Sequence, residues 1–188
     1  MKPITAIALI LTAIMMTACS KVQPTPGVLI TPGGVIPEVV SAFDIQELGV
    51  GEKGWVALTN FTSEPGKLAG LFLCQAQACY ALPDESVPAG ETVRITTGSS
   101  AGVENVIAKN ATFGELRSAD GEMALTTTDN PQQPEQILFY MQWGSTPHAL
   151  TRLAIDAGLW LEGGYAPTSE KATRLFRVKE TGLWLFDE

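Results

Sequence analysis

From Val39 onward the chain is a succession of short β-rich runs broken by Gly, Pro, Asn and Asp. That rhythm, with a break near every tenth residue, limits the possible folds more than any other feature. A helix needs apolar residues every three or four positions over a long window, whereas a half-buried strand needs only alternation over a few residues. "VVSAFDIQEL" alternates in part, and "GWVALTNFT" sets Trp55, Ala57 and Thr59 on one face and Val56, Leu58 and Asn60 on the other. "KLAGLFLC", "CYALPD", "ETVRITT", "EMALTTT" and "QILFYMQWG" continue the series. "LPDESVPAGE", with two prolines and a glycine, reads as turns between strands, and the Asp-Gly of "SADGE" is a hairpin signal. About seven such strands predict an all-β fold, a sandwich of two sheets.

The C-terminal third changes character. "TPHALTRLAIDAGLW" spaces Leu150, Leu153, Ala154 and Ala157 at helical intervals. Thr146 is placed to cap before Pro147, and Gly158 to end the turn. This predicts one short helix covering an open end of the sandwich. "TRLFRVKETGLWLFDE" reads as a hairpin turning at "KETG". Trp160, Trp184 and Phe186 are the aromatics from which a sugar platform would be built, but aromatics at strand spacing belong more often to a core, and that is the reading adopted.

The opening "MKPITAIALILTAIMMTACS" carries one positive charge at Lys2 and then an apolar run from Ile4 to Met16. As a helix that run reaches only about 20 Å, short of the roughly 30 Å hydrocarbon core of a bilayer. An export signal fits better than a spanning helix. "MTAC" at 16–19 resembles the bacterial lipoprotein signal, with Met16 where Leu is usual. The resemblance implies cleavage after Ala18, diacylglycerol on the Cys19 thiol and acylation of the new terminus. Two or three acyl chains give a stable membrane anchor where one does not. The following "SKVQPTPGVLITPGGVIPE" interleaves four prolines with three glycines. It cannot hold a helix and reads as an extended tether, although "GVLI" or "GVIP" docking as an edge strand is an alternative.

Export bears on the other two cysteines, because outside the cytoplasm paired thiols oxidise. With Cys19 taken by lipid, Cys74 and Cys79 remain, separated by "QAQA". If the flanking runs are two arms of a hairpin, these residues face each other within disulfide reach. The rivals are weaker. Zinc wants about four ligands, and the chain offers two thiols and its single histidine, His148. A redox pair wants two intervening residues in an electropositive setting, and a catalytic thiol wants a nearby histidine.

Several motifs together resemble the bacterial lamin-tail domain, an immunoglobulin-like β-sandwich. They are "WVALTNFTSEPGKLAGLFL", "YALPDESVPAGETVRI", "GEMAL" and "ILFYMQWG", in that order. Trp55, Asn60, Leu68, Gly70, Tyr80, Pro83, Pro88, Ala89, Gly90, Trp143 and Gly144 occupy the family's places; "FYMQWG" departs from its usual ending. The resemblance implies an adaptor or attachment module. Physically, Asn60 closes an Asx-type turn, Gly70 permits a close approach or bulge, and Pro88 to Gly90 forces a corner. The chain then divides into a signal peptide at 1–18, a Pro/Gly-rich tether at 19–36, a lamin-tail-like sandwich at 37–145 and an extension at 146–188 packed on it.

With 45% hydrophobic and 17% charged residues the chain can bury a real core. Its net charge of −8, without a basic cluster, argues against a nucleic-acid partner. The expected function is non-catalytic: an envelope lipoprotein held by its lipid anchor and binding a protein or surface polymer, with no cofactor and no metal. Two alternatives stand beside it. An extracytoplasmic hydrolase would use carboxylates such as Asp84, Glu85 and Asp129, but no GxSxG, HExxH or phosphate-cradling loop accompanies them. A calcium-dependent surface binder would use Asp84, Asp129 and Asn130, with no recognisable calcium-loop spacing. The two sequons, "NFT" and "NAT", are expected to stay unglycosylated in a bacterial lipoprotein.

Overall fold

The computed structural model describes residues 41–51, 54–98, 102–145 and 147–188. The expected signal peptide, Cys19, the tether and the Thr146 cap lie outside them. Among the described residues the chain is mostly β-strand in open sheets with one short helix, consistent with an all-β sandwich.

Strand β1 (Phe43–Gly49) shows why its sequence alternates only in part. The register slips between Ile45 and Glu47, so Gln46 is bulged. The bulge reverses the parity and lets Phe43, Ile45 and Leu48 all enter the core. β2 (Trp55–Asn60) pairs antiparallel with β1 and buries Val56, Leu58 and Asn60, one of the two faces that alternation defines, together with Ala57 from the other. β7 (Thr92–Thr96) pairs with β2 and carries β8 (Val106–Ala108) beside it, parallel. On the other flank β11 (Arg174–Arg177) pairs with β1 and β12 (Trp184–Asp187) with β11. The result is a six-stranded sheet in the order β12-β11-β1-β2-β7-β8. The C-terminal third thus supplies two of its strands. The β11–β12 loop closes on Val178 N–H to Leu183 C=O at 2.8 Å, leaving "KETG" as the turn, with Gly182 at φ +68°.

The second sheet has the order β10-β9-β4-β5, from β4 (Phe72–Gln75), β5 (Ala78–Ala81), β9 (Gly121–Thr126) and β10 (Ile137–Trp143). Its edge at β10 is covered by Ala166, which donates to Gln142 C=O at 2.8 Å and accepts from Gly144 N–H at 3.2 Å. Covering an edge in this way blocks pairing with another chain. One continuous core joins the sheets, with Ile45, Leu48, Val56, Leu58, Ile95 and Leu175 from the first and Leu73, Met123, Leu125 and Met141 from the second. Phe113 and Leu116, from the long β8–β9 connection, are also fully buried in it.

Five expectations need correction. "KLAGLFLC" is two strands, not one: β3 (Gly66–Lys67) pairs with β6 (Ser86–Val87) in a separate small sheet, and β4 follows a turn. Gly70 makes that turn at φ +82°, with Leu71 N–H donating to Leu68 C=O; a Cβ there meets nothing within 4 Å, so no close approach or bulge is involved. "LPDESVPAGE", read wholly as turns, contains β6, and β8 was not foreseen. The Asp-Gly of "SADGE" turns no hairpin, because β8 belongs to the other sheet and Gly121 is already the first residue of β9. Finally, α1 (Thr151–Asp156), which ends before Gly158 at φ +72°, lies on the outer face of the second sheet rather than over an open end. It is drawn there by Gln142 and Tyr140, polar side chains on that face.

Two expected turns hold. Asn60 Oδ1 accepts from Thr62 N–H at 2.9 Å, an Asx turn, while its Nδ2 donates to the carbonyls of Glu64 and Val87 at 2.8 and 2.9 Å. Pro88 C=O accepts from Glu91 N–H across Gly90 at φ +73°, the glycine position of a type II turn.

Candidate functional site

Cys74 and Cys79 are directly opposite in the β4–β5 ladder and form a disulfide, with Cα atoms 4.1 Å apart. The loop between the strands is only Ala76–Gln77, because Gln75 and Ala78 also pair. Ala76 sits at φ +53°, in the left-handed region that disfavours a side chain, and its N–H is held by Glu122 Oε1 at 3.1 Å. The bridge is therefore structural.

The carboxylates weighed for hydrolysis or calcium are not gathered into one site. Asp129 and Asn130 line an open depression of about 720 Å³ with Ala76, Gln77 and the α1 residues Arg152 and Asp156. Asp84 and Glu85 are exposed and do not line it. Among the described residues, no three His, Cys, Asp or Glu side chains converge as metal ligands would. Of the three aromatics considered as a platform, Trp184 and Phe186 share one face of β12 and Trp160 lies elsewhere. Trp160 packs edge-on to Tyr140 beside α1, whereas Trp184 packs against Phe139 in the core, and both are buried. Core was the correct reading for these two.

Beneath α1 lies a buried polar cluster that sequence reasoning missed. Glu122, Tyr140, Gln142 and Thr151 are all nearly inaccessible to solvent. The Tyr140 hydroxyl is 2.9 Å from Glu122 Oε2 and 2.9 Å from Thr151 Oγ1. Glu122 Oε2 also accepts from Leu150 N–H at 3.0 Å, and Thr151 donates to Gln142 Oε1 at 2.6 Å. Burial, then the neighbouring Glu122 charge, pushes the phenol of Tyr140 far above its usual range. Tyr140 thus stays a neutral donor. With its oxygens bonded to protein donors, Glu122 fastens β9 to the disulfide hairpin and to α1.

The outer face of the six-stranded sheet is different. Across β12, β11, β1 and β7 runs a charge ladder. Arg174 contacts Asp187 at 2.6 Å and Glu47 Oε1 at 3.8 Å, and Arg94 contacts Glu47 Oε2 at 3.2 Å. Each arginine also lies against an aromatic ring: Arg94 at 5.1 Å from the Trp55 centroid, Arg174 at 4.8 Å from that of Phe176. Such pairs hold guanidinium planes in place. Further along β1, Asp44 pairs with Arg177 at 2.8 Å through Oδ2, while its Oδ1 is buried without a hydrogen-bond partner. Desolvation of that carboxyl outweighs the arginine and pushes its pKa up to about 6.

Glu47, Trp55, Arg94 and Arg174, with Gly102, Val103 and Glu104 as one wall, enclose a depression of about 220 Å³. Alternation in "GWVALTNFT" had placed Trp55 on the face opposite Val56 and Leu58, but nothing local brought Glu47, Arg94 and Arg174 beside it. No protein-family model, no curated protein and no solved structure matches the chain.

Proposed function

We propose that this chain is a lipid-anchored, extracytoplasmic binding or adaptor module with a lamin-tail-like, immunoglobulin-like sandwich, and that it has no catalytic role. The observation that carries the reading is the Cys74–Cys79 bridge. It suits an oxidising compartment, and by using two of three cysteines it leaves Cys19, at the end of "MTAC", as the one available for lipid. The lamin-tail part of the reading is supported by contact between two of its motifs: Asn60 donates to Val87 C=O beside the Pro88–Gly90 corner, and Gly90 N–H donates to Asn60 C=O at 2.9 Å. The non-catalytic part is supported by the engagement of Glu122 and Tyr140 within the protein. The partner is a protein or a polymer of the cell surface.

The anchor is tested by Cys19→Ser expressed in a bacterium with lipoprotein processing. The unsubstituted chain partitions with membranes and carries the mass of diacylglycerol and fatty acid; the variant loses that mass and leaves the membrane fraction. A variant that remains as membrane-bound as its parent, or a parent retaining intact Met1, overturns the proposal.

A further inference from the structure

Of the four tryptophans, Trp55 is the one that is not buried. It faces Gly49 across the β1–β2 ladder, and its indole lies flat on that glycine, where any Cβ would collide with Nε1, Cδ1 and Cε2. The ring is fixed by the backbone beneath it while remaining partly open to solvent. The other three tryptophans are at most 6% exposed.

The groups around this ring are balanced. Two guanidiniums, Arg94 and Arg174, and two carboxylates, Glu47 and Glu104, line the same depression. Arg94 and Arg174 are held from opposite sides by Glu47, so both are oriented before any ligand arrives. A polyanion entering here meets the two carboxylates, a cation meets the two arginines, and a wholly apolar molecule strands all four charges. The chemistry that satisfies the set is a ring of hydroxyl groups, each able to donate to a carboxylate and accept from a guanidinium, with an apolar C–H face for the indole. The volume, about 220 Å³, is below the roughly 300–1,000 Å³ of sites for drug-sized ligands and matches one small ring.

We propose that the depression on the outer face of β1, β2, β7 and β11 binds one pyranose ring of a neutral saccharide polymer. The part of the Trp55 indole that Gly49 and Arg94 leave uncovered meets the C–H side of the sugar, while Arg94, Arg174, Glu47 and Glu104 share its hydroxyls. This rests on the binding-module reading and names its ligand class.

The test uses the full chain solubilised in mild detergent, titrated with cello-, malto- and N-acetylglucosamine tetrasaccharides and with an anionic oligogalacturonate. At least one neutral oligomer gives saturable heat in calorimetry together with a shift of tryptophan emission, and the anionic one does not. Trp55→Ala and Arg94→Ala each weaken binding at least roughly tenfold, while Arg152→Ala on α1 leaves it unchanged. Where loss of the indole impairs folding, Arg94→Ala alone carries the comparison. Absence of saturable binding by any neutral oligomer, tighter binding of the anionic one, or unaltered affinity in Arg94→Ala overturns the proposal. A parallel arm sediments the protein with detergent-extracted envelope polymer and cross-links it to envelope proteins. If the titrations are flat while either envelope component binds, the saccharide site falls and the binding module stands. If neither binds, both fall.

Discussion

Two tryptophans in this fold each lie opposite a glycine, and the pairing gives those glycines a steric purpose. Trp143 pairs with Gly121 on β9 as Trp55 pairs with Gly49 on β1, and a Cβ on Gly121 would intrude into the Trp143 indole. Trp143 is fully buried, with its Nε1 donating to Arg117 C=O at 2.8 Å, so the ring has no room to withdraw. Gly121→Ala is therefore expected to destabilise the protein by about 1–3 kcal/mol, read as a lower denaturant midpoint with an unchanged slope. Asp44 makes a pH-dependent contribution. Its folded carboxyl holds a proton up to about pH 6, against an ordinary 3.8, so folding takes up a proton between those values. The stability owed to this group is full below pH 3.8 and is lost as the pH rises through about 6. Asp44→Asn cannot titrate, and the difference in stability between it and the parent is expected to change across that window and to be flat above it. A constant difference from pH 4 to 7 would show that the desolvation of Asp44 has no bearing on stability.

At the scale of elements, the β4–β5 hairpin is an edge pair whose outer strand is bound only to β4. Its disulfide closes a ring of few residues, for which the chain-entropy account gives about 2 kcal/mol. Replacing Cys74 and Cys79 together by Ser is expected to lower stability by that amount, and reduction of the parent to lower it similarly. The loss extends to the neighbouring α1 side of the sheet, because Glu122 bonds both the hairpin tip and the start of the helix. Hydrogen exchange in residues 76–81 and 150–156 is expected to quicken together; protection unchanged in α1 would mean that Glu122 does not couple them. This link between hairpin and helix was not legible in the sequence. Glu122 reads locally as the polar residue of "GEMAL", and only the packing of α1 turns it into a buried one.

For the molecule as a whole, the decisive feature is the return of the C-terminal hairpin to the first strand. β11 lies against β1, and Arg177 reaches Asp44 across 133 residues of sequence. Without β11 and β12, β1 becomes a bare edge, and Leu48 and Phe139 lose their neighbours Leu175 and Trp184. A chain ending at residue 145 is expected to lose cooperative unfolding and to bind a hydrophobic dye. A sharp transition in that fragment would show that the first hundred or so described residues fold on their own. Long-range pairing of this kind also places the candidate sugar site, since Glu47, Arg94 and Arg174 come from β1, β7 and β11 and meet only when the sheet has closed.

What the sequence determined by itself was local. Alternation divided β2 into its two faces, Asn60 and the Pro88–Gly90 corner closed their turns, and the spacing of Cys74 and Cys79 matched a ladder pair. These depend on side-chain direction and backbone preference within a few residues, which neighbouring letters specify. Tertiary structure decided which strands share a sheet, why "KLAGLFLC" splits, where α1 lies, and what Glu47, Arg94 and Arg174 build together around Trp55. Those outcomes depend on contacts between residues far apart in the chain, where the choice among partners is made by the burial of shared surface rather than by any residue's own preference.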